Sequence, residues 1–183
     1  MNRSTSITLI IIIGIIVLVG WWVLSVQQQA KDASSAAARS LGGGTTTTAI
    51  YTDVEGTPID LSIYNGQVRV VNSWASWCPF CVTELPDFEA LAAEFASDDV
   101  VVIAINRSEP AALVESYLTS NGLLEDVIYV LDEADAFYDS IGGFSMPETV
   151  FYGADGEIVL HKRGFMSLDE MRTHTNTALN ADE

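Results

Sequence analysis

Thiols are scarce in this chain of 183 residues, which carries two, Cys78 and Cys81. That scarcity excludes a scaffold held by several disulfides and a zinc site made of four cysteines. Histidine is equally scarce. His161 and His174 lie thirteen residues apart, outside the spacing that would complete a zinc site begun by the two cysteines, so no metal is expected. Basic side chains number 8 against 25 acidic ones, Lys31 and Lys162 are the sole lysines, and the formal net charge is −17. So acidic a surface repels nucleic acid and anionic lipid, which excludes both as ligands. It suits a solubilising or salt-adapted coat, or the selection of basic partners. No internal repeat is present, and no Ser/His/Asp set recurs near the cysteines to support hydrolysis.

Charge is also missing from residues 7–26, where Ile, Val, Leu and Trp dominate. Twenty helical residues at about 1.5 Å each span the roughly 30 Å hydrocarbon layer, so residues 1–26 are expected to form a transmembrane anchor. A cleaved signal peptide would have an apolar core of only about 7–15 residues with its cleavage site close behind. Here Gln27, Gln28 and Gln29 follow instead, and the Ala36-x-Ala38 sequence comes well beyond the apolar run. Neither cysteine lies near the N-terminus to carry a lipid. Arg3 precedes the run and Lys31, beside Asp32, follows it; the positive-inside rule then favours a cytoplasmic N-terminus, with Trp21 and Trp22 at the outer interface. The expected location is the cell membrane, single-pass, with the catalytic domain on the extracytoplasmic side. A domain without stray thiols suits that compartment. Residues 27–49 are rich in Ala, Ser, Gly and Thr, bury too little to fold, and read as a flexible tether. Residues 50–183 are expected to form the folded domain.

Within that domain strand-like and helix-like periods alternate. Strands are expected over 57–63, 67–73, 100–105, 127–131, 149–152 and 157–162. Helices are expected over 79–96, 110–120, around 133–141 and from Ser167. Residues 100–105 (VVVIAI) are continuously apolar, as a central parallel strand covered on both faces requires. Leu91, Phe95, Leu113 and Tyr117 recur at helical spacing and read as core. The alternation predicts an α/β fold with a mixed sheet flanked by helices.

The stretch Trp74-Ala75-Ser76-Trp77-Cys78-Pro79-Phe80-Cys81 holds both thiols. Half of a zinc site, a static staple and a redox-active dithiol all fit a CxxC pair. Zinc lacks its remaining ligands, and a staple across so short a loop removes little chain entropy, which leaves redox chemistry. Cys78 falls where a strand gives way to a helix, near unpaired backbone N–H groups whose positive end favours thiolate over thiol. It is the expected nucleophile, with Cys81, one turn on, as the buried resolving thiol. Pro79 takes the first helical position, where a missing N–H costs nothing. Phe80 is then free to shield the pair, and Trp77 lines either the core or a substrate groove.

The segment from Val70 to Pro86 resembles the active-site segment of the membrane-anchored TlpA/ResA-type thioredoxin-like thiol–disulfide oxidoreductases. Gly56 to Leu61 resembles the short hairpin that precedes it in that family, Met146-Pro147 falls where its cis-proline sits, and Asp155 to Val159 resembles its late hairpin. These matches run in order over about residues 50–181. The resemblance implies a thioredoxin-like fold and a cis bond before Pro147, with Met146 backbone atoms offered to an incoming peptide as an added strand. Met146 departs from the family's more usual residue there. Thioredoxins proper carry an acid on the strand before the motif; here that position is Asn72, which cannot take a proton. Glu84 matches the acid that TlpA/ResA-type proteins use, and becomes the candidate proton acceptor for Cys81. His161, Lys162 and Arg163 read as a solvated strand end.

The reading that results is an extracytoplasmic thiol–disulfide oxidoreductase that reduces disulfides of exported proteins through Cys78 and Cys81. Its partners are protein substrates with disulfides or dithiols and, as the resemblance implies, apocytochrome c and a membrane electron donor. No further cofactor is called for. The alternatives are an oxidant that introduces disulfides, and a metallochaperone holding Cu(I) between the two thiolates with Met146 nearby.

Overall fold

The computed structural model describes residues 51–97 and 99–181. The expected anchor over 1–26 and tether over 27–49 lie outside the described residues. Among the described residues no helix is long and apolar enough to cross a membrane. Seven strands form one mixed sheet in the order β2-β1-β5-β4-β3-β6-β7. They are β1 (Tyr51–Thr52), β2 (Pro58–Ile59), β3 (Val68–Trp74), β4 (Val100–Arg107), β5 (Ile128–Asp132), β6 (Glu148–Tyr152) and β7 (Ile158–Arg163). The central three run parallel, and β6, β7 and β1 are antiparallel to their neighbours. Four helices join them: α1 (Pro79–Phe95), α2 (Ala111–Ser120), α3 (Ala136–Ser140) and α4 (Leu168–Leu179).

Strand alternation divides the interior between two faces. Val70, Val102, Ala104 and Phe151 turn to the face covered by α1, α2 and α4, which contribute Leu85, Phe88, Leu91, Val114, Leu118 and Met171. Val71, Ile103, Ile105 and Val150 turn to the other face, covered by Phe137 of α3 and by partly buried Leu61 and Tyr64. Leu91 and Phe95 are core as expected, and Tyr117 is half-buried against Trp74. Leu113 is not core, being 50% exposed. Leu113/Tyr117 and Val114/Leu118 are both i, i+4 pairs, and it is the second that the sheet selects. The strand expected over 57–63 stops at Ile59, because the Asp60 carboxylate caps the amide of Ser62 and turns Leu61–Tyr64 into a 3₁₀ helix.

Strand polarity places the site. The parallel strands β3 and β4 end on the same side of the sheet, and antiparallel β6 begins there, with Ser73 registered against Glu148. The loop after β3 that carries Cys78, the loop after β4 that carries Glu109 and the loop before β6 that carries Met146-Pro147 therefore meet at one sheet end.

Candidate active site

Cys78 is the N-cap of α1. Its Sγ accepts the Cys81 amide at 3.2 Å, with Pro79 at the start of the helix as expected. A sulfur in that place faces the unbonded amides and positive end of the helix, the environment that favours a thiolate. Cys78 and Cys81 are joined in a disulfide with a Cα–Cα distance of 5.2 Å. Cys81 is wholly buried and Cys78 shows 4% of its surface, so the expected difference in access has the right sign but is slight in this oxidised form. The two tryptophans part company. Trp74 is fully buried against Tyr117 and Tyr129, whereas Trp77 and Phe80, on either side of the cysteine, are each 64% exposed.

Glu84 is not a solvated first-turn acid. It lies one turn beyond Cys81 on the buried face of α1, with no exposed surface. Its Oε1 accepts Asn72 Nδ2 at 2.9 Å and its Oε2 accepts the Met166 amide at 3.2 Å, while the same Asn72 nitrogen donates to Thr149 Oγ1 at 3.0 Å. Burial pushes the Glu84 carboxyl up to about 8, and the Met166 and Asn72 donors only partly oppose it. A carboxyl that titrates there can exchange a proton with a thiol whose ordinary value is about 8.5.

Facing this helix start, Met146-Pro147 is cis, as the resemblance implies. Pro147 is buried and Met146 packs on the core that holds both cysteines. The next residue, Glu148, was marked by no signal in the sequence, yet it is fully buried. Its Oε1 accepts the amides of Phe144 and Ser145, each at 2.7 Å, and its Oε2 accepts His161 Nε2 at 2.6 Å. Arg163 Nε adds an ion pair at 3.6 Å. Burial would raise this carboxyl, but the two amides and His161 outweigh it and hold the group below the usual carboxylate range. The expectation of a solvated strand end is thereby corrected for His161, while Arg163 reaches Glu148 from a side chain that stays 52% exposed. Register brings them in, since Arg163 pairs directly with Glu148 and His161 follows two residues away on the same face.

Glu109 likewise bears no sequence mark. From the loop after β4 its carboxylate accepts the Ser76 amide at 2.7 Å, the Ser76 hydroxyl at 2.6 Å and Asn106 Nδ2 at 2.7 Å, fixing the segment that leads into Cys78. The disulfide, Glu84, Trp77, Pro79, Phe80, Met146 and Pro147 thus occupy one sheet end. What this assembly can do is open a disulfide with two electrons and two protons, with one buried group able to hold a proton. Among the described residues no cluster of His, Cys, Asp and Glu suited to a metal is present.

Comparison with known proteins gives the same picture. The Redoxin family model matches residues 27–179. The chain is 32% identical over 118 residues to thiol-disulfide oxidoreductase ResA of Halalkalibacterium halodurans, a match covering 64% of this chain and 66% of that protein. It is 29% identical over 120 residues to sporulation thiol-disulfide oxidoreductase A of Bacillus subtilis, covering 63% and 72%. These matches span about two thirds of the relatives' own length. The crystal structure of StoA from Bacillus subtilis superposes with a TM-score of 0.60 at 26% identity, over 69% of this chain and 94% of that one.

Proposed function

The chain belongs to the Redoxin family, among its thiol–disulfide oxidoreductases of the ResA and StoA type, and on that premise we propose that it reduces disulfides of exported proteins. Residues 1–26 anchor it in the membrane, residues 27–49 form the tether, and the domain over 50–183 works outside the cytoplasmic membrane. The observation that carries the assignment of roles is the position of Cys78 Sγ at the start of α1, accepting the Cys81 amide. In the reduced protein the Cys78 thiolate attacks one sulfur of a substrate disulfide. The S–S bond breaks, the released substrate thiolate takes a proton, and a mixed disulfide remains. Cys81 passes its proton to the ionised form of Glu84, which grows as pH nears 8, and attacks the Cys78 sulfur; the second substrate sulfur leaves as a thiolate that takes a proton from solvent, and the Cys78–Cys81 disulfide closes. Two electrons have passed from protein to substrate, and a membrane-borne donor restores the dithiol. Substrate lies along Trp77, Pro79 and Phe80 on one side and pairs with the Met146 backbone beside Pro147 on the other. Cysteines of apocytochrome c are one such substrate.

Reduction is favoured over oxidation by local charge. Pro79 and Phe80 bring no cation to Cys78, and Glu109 brings an anion within two residues of it. A less stabilised thiolate means a less stable reduced form and a stronger reductant. The reduction potential is expected below about −200 mV, and a value above about −160 mV would make the protein an oxidant. Roles are tested by trapping: Cys81→Ser accumulates mixed disulfides with substrate proteins and Cys78→Ser does not. Trapping by Cys78→Ser alone would reverse the two roles.

A further inference from the structure

We propose that Phe144 selects the substrates of this site, favouring polypeptide disulfides that carry a large apolar residue next to the half-cystine; this rests on the redox reading of Cys78 and Cys81 given above. Phe144 is 87% exposed, the most exposed of the large apolar side chains among the described residues, and Trp77 and Phe80 at the same sheet end are each 64% exposed. An aromatic on a loose loop would lose much of its value to ordering when a partner binds. This loop is fastened on both sides of the ring. The amides of Phe144 and Ser145 both donate to the buried Glu148 Oε1 at 2.7 Å. Ser145 O accepts the Tyr138 hydroxyl at 3.0 Å, and Gly143 N donates to Tyr138 O at 2.8 Å. Tyr138 is itself held, with the Arg107 guanidinium 3.4 Å from its ring centre and Gly143 against the ring so closely that a Cβ there would overlap it. The far end is tied down by Gly164 N, which donates to Pro147 O at 2.8 Å.

Backbone polar groups on both sides of Phe144 are thus turned inward, and the ring alone is turned outward, two residues before the Met146 backbone on which a peptide would pair. Rigid, exposed aromatics beside a fixed docking edge have the character of interface anchors. A substrate whose half-cystine is flanked by leucine or phenylalanine covers that ring, and one flanked by glycine does not. Contacts of this size discriminate by about tenfold or more.

The test uses the reduced full-length protein and three substrates: hydroxyethyl disulfide, and two peptide disulfides that differ only in having Leu or Gly before each half-cystine. Wild type is expected to reduce the leucine peptide with a kcat/KM about tenfold above that of the glycine peptide, the difference lying in KM. Phe144→Ser, a change at an exposed position, is expected to bring the ratio below about twofold. A wild-type ratio near one, or a ratio that persists in Phe144→Ser, overturns the proposal. Failure of wild type to reduce even hydroxyethyl disulfide is a different result, which removes the reductase reading and the selectivity with it.

Discussion

Glu84, behind the disulfide, and Glu148, behind the loop that faces it, are both wholly buried, and they titrate in opposite directions. Glu84 meets two neutral donors, the Asn72 amide and the Met166 N–H, and its carboxyl rises to about 8. Glu148 meets two backbone amides, His161 and Arg163, and stays below the ordinary value. Neither side chain has exposed surface, but Glu84 is set deeper and is opposed by fewer donors, so depth of burial and the number and charge of the donors together decide whether a buried carboxyl keeps its proton. The first arrangement suits a group that holds its proton at neutral pH and exchanges it as pH nears 8. The second suits a fixed anion that organises backbone.

The sharpest way to break this contrast is to remove each acid. Glu148→Ala leaves the Phe144 and Ser145 amides, His161 and Arg163 without their acceptor, and is expected to cost about 3–5 kcal/mol in urea unfolding at neutral pH. A loss below about 1 kcal/mol would put Glu148 among incidental contacts.

Next in size is an effect of opposite sign. The folded pKa of Glu84, about 8, lies above its ordinary value near 4.5, so between those limits the unfolded chain has released a proton that the folded chain keeps. Its contribution to stability therefore falls as pH rises through that window. Glu84→Gln, which cannot ionise, is expected to gain on wild type by roughly 1–3 kcal/mol between about pH 5 and pH 8, with no gain in stronger acid. Glu148 behaves inversely: its contribution is present above the unfolded value and is lost as pH falls through the lowered folded one. A pH-independent difference between wild type and Glu84→Gln would mean that Glu84 is ionised in the fold.

A third effect is kinetic. Glu84→Gln is expected to slow attack of Cys81 on the mixed disulfide by about tenfold or more at pH 7, and to move the rise in rate to higher pH. Rapid-mixing kinetics across pH 6–9 check it, and profiles that coincide would confine Glu84 to a packing role. Smallest is Arg163→Ala. That side chain is 52% exposed and 3.6 Å from Glu148, so its loss is expected to cost no more than about 0.5–1 kcal/mol by the same unfolding assay.

What could be read in the sequence follows from how local each signal is. Helix α1 is announced by its own residues, with Cys78 as cap and Pro79 in the first turn, and β4 by an unbroken apolar run. Glu84 was legible only through family resemblance, since residues 78–84 alone fit a solvated acid equally well. Glu148 and Glu109 were not legible. Their partners His161, Arg163, Ser76 and Asn106 reach them through strand register and loop placement, which no local pattern encodes. Leu113 shows the same limit within one helix, where two apolar pairs satisfied the period and the sheet decided between them.

The Met166 amide that completes the Glu84 pocket comes from 82 residues further along the chain. Synthesis at about 5–20 residues per second delivers that stretch in roughly 4–16 seconds. Throughout that interval a nascent chain carries both cysteines but lacks the partner that helps enclose Glu84, which titrates as an ordinary acid in water. The cysteine pair is therefore born as plain thiol chemistry, open to whatever oxidant it meets, and becomes a tuned centre only once β7 and the loop that follows it have been made and have closed over α1.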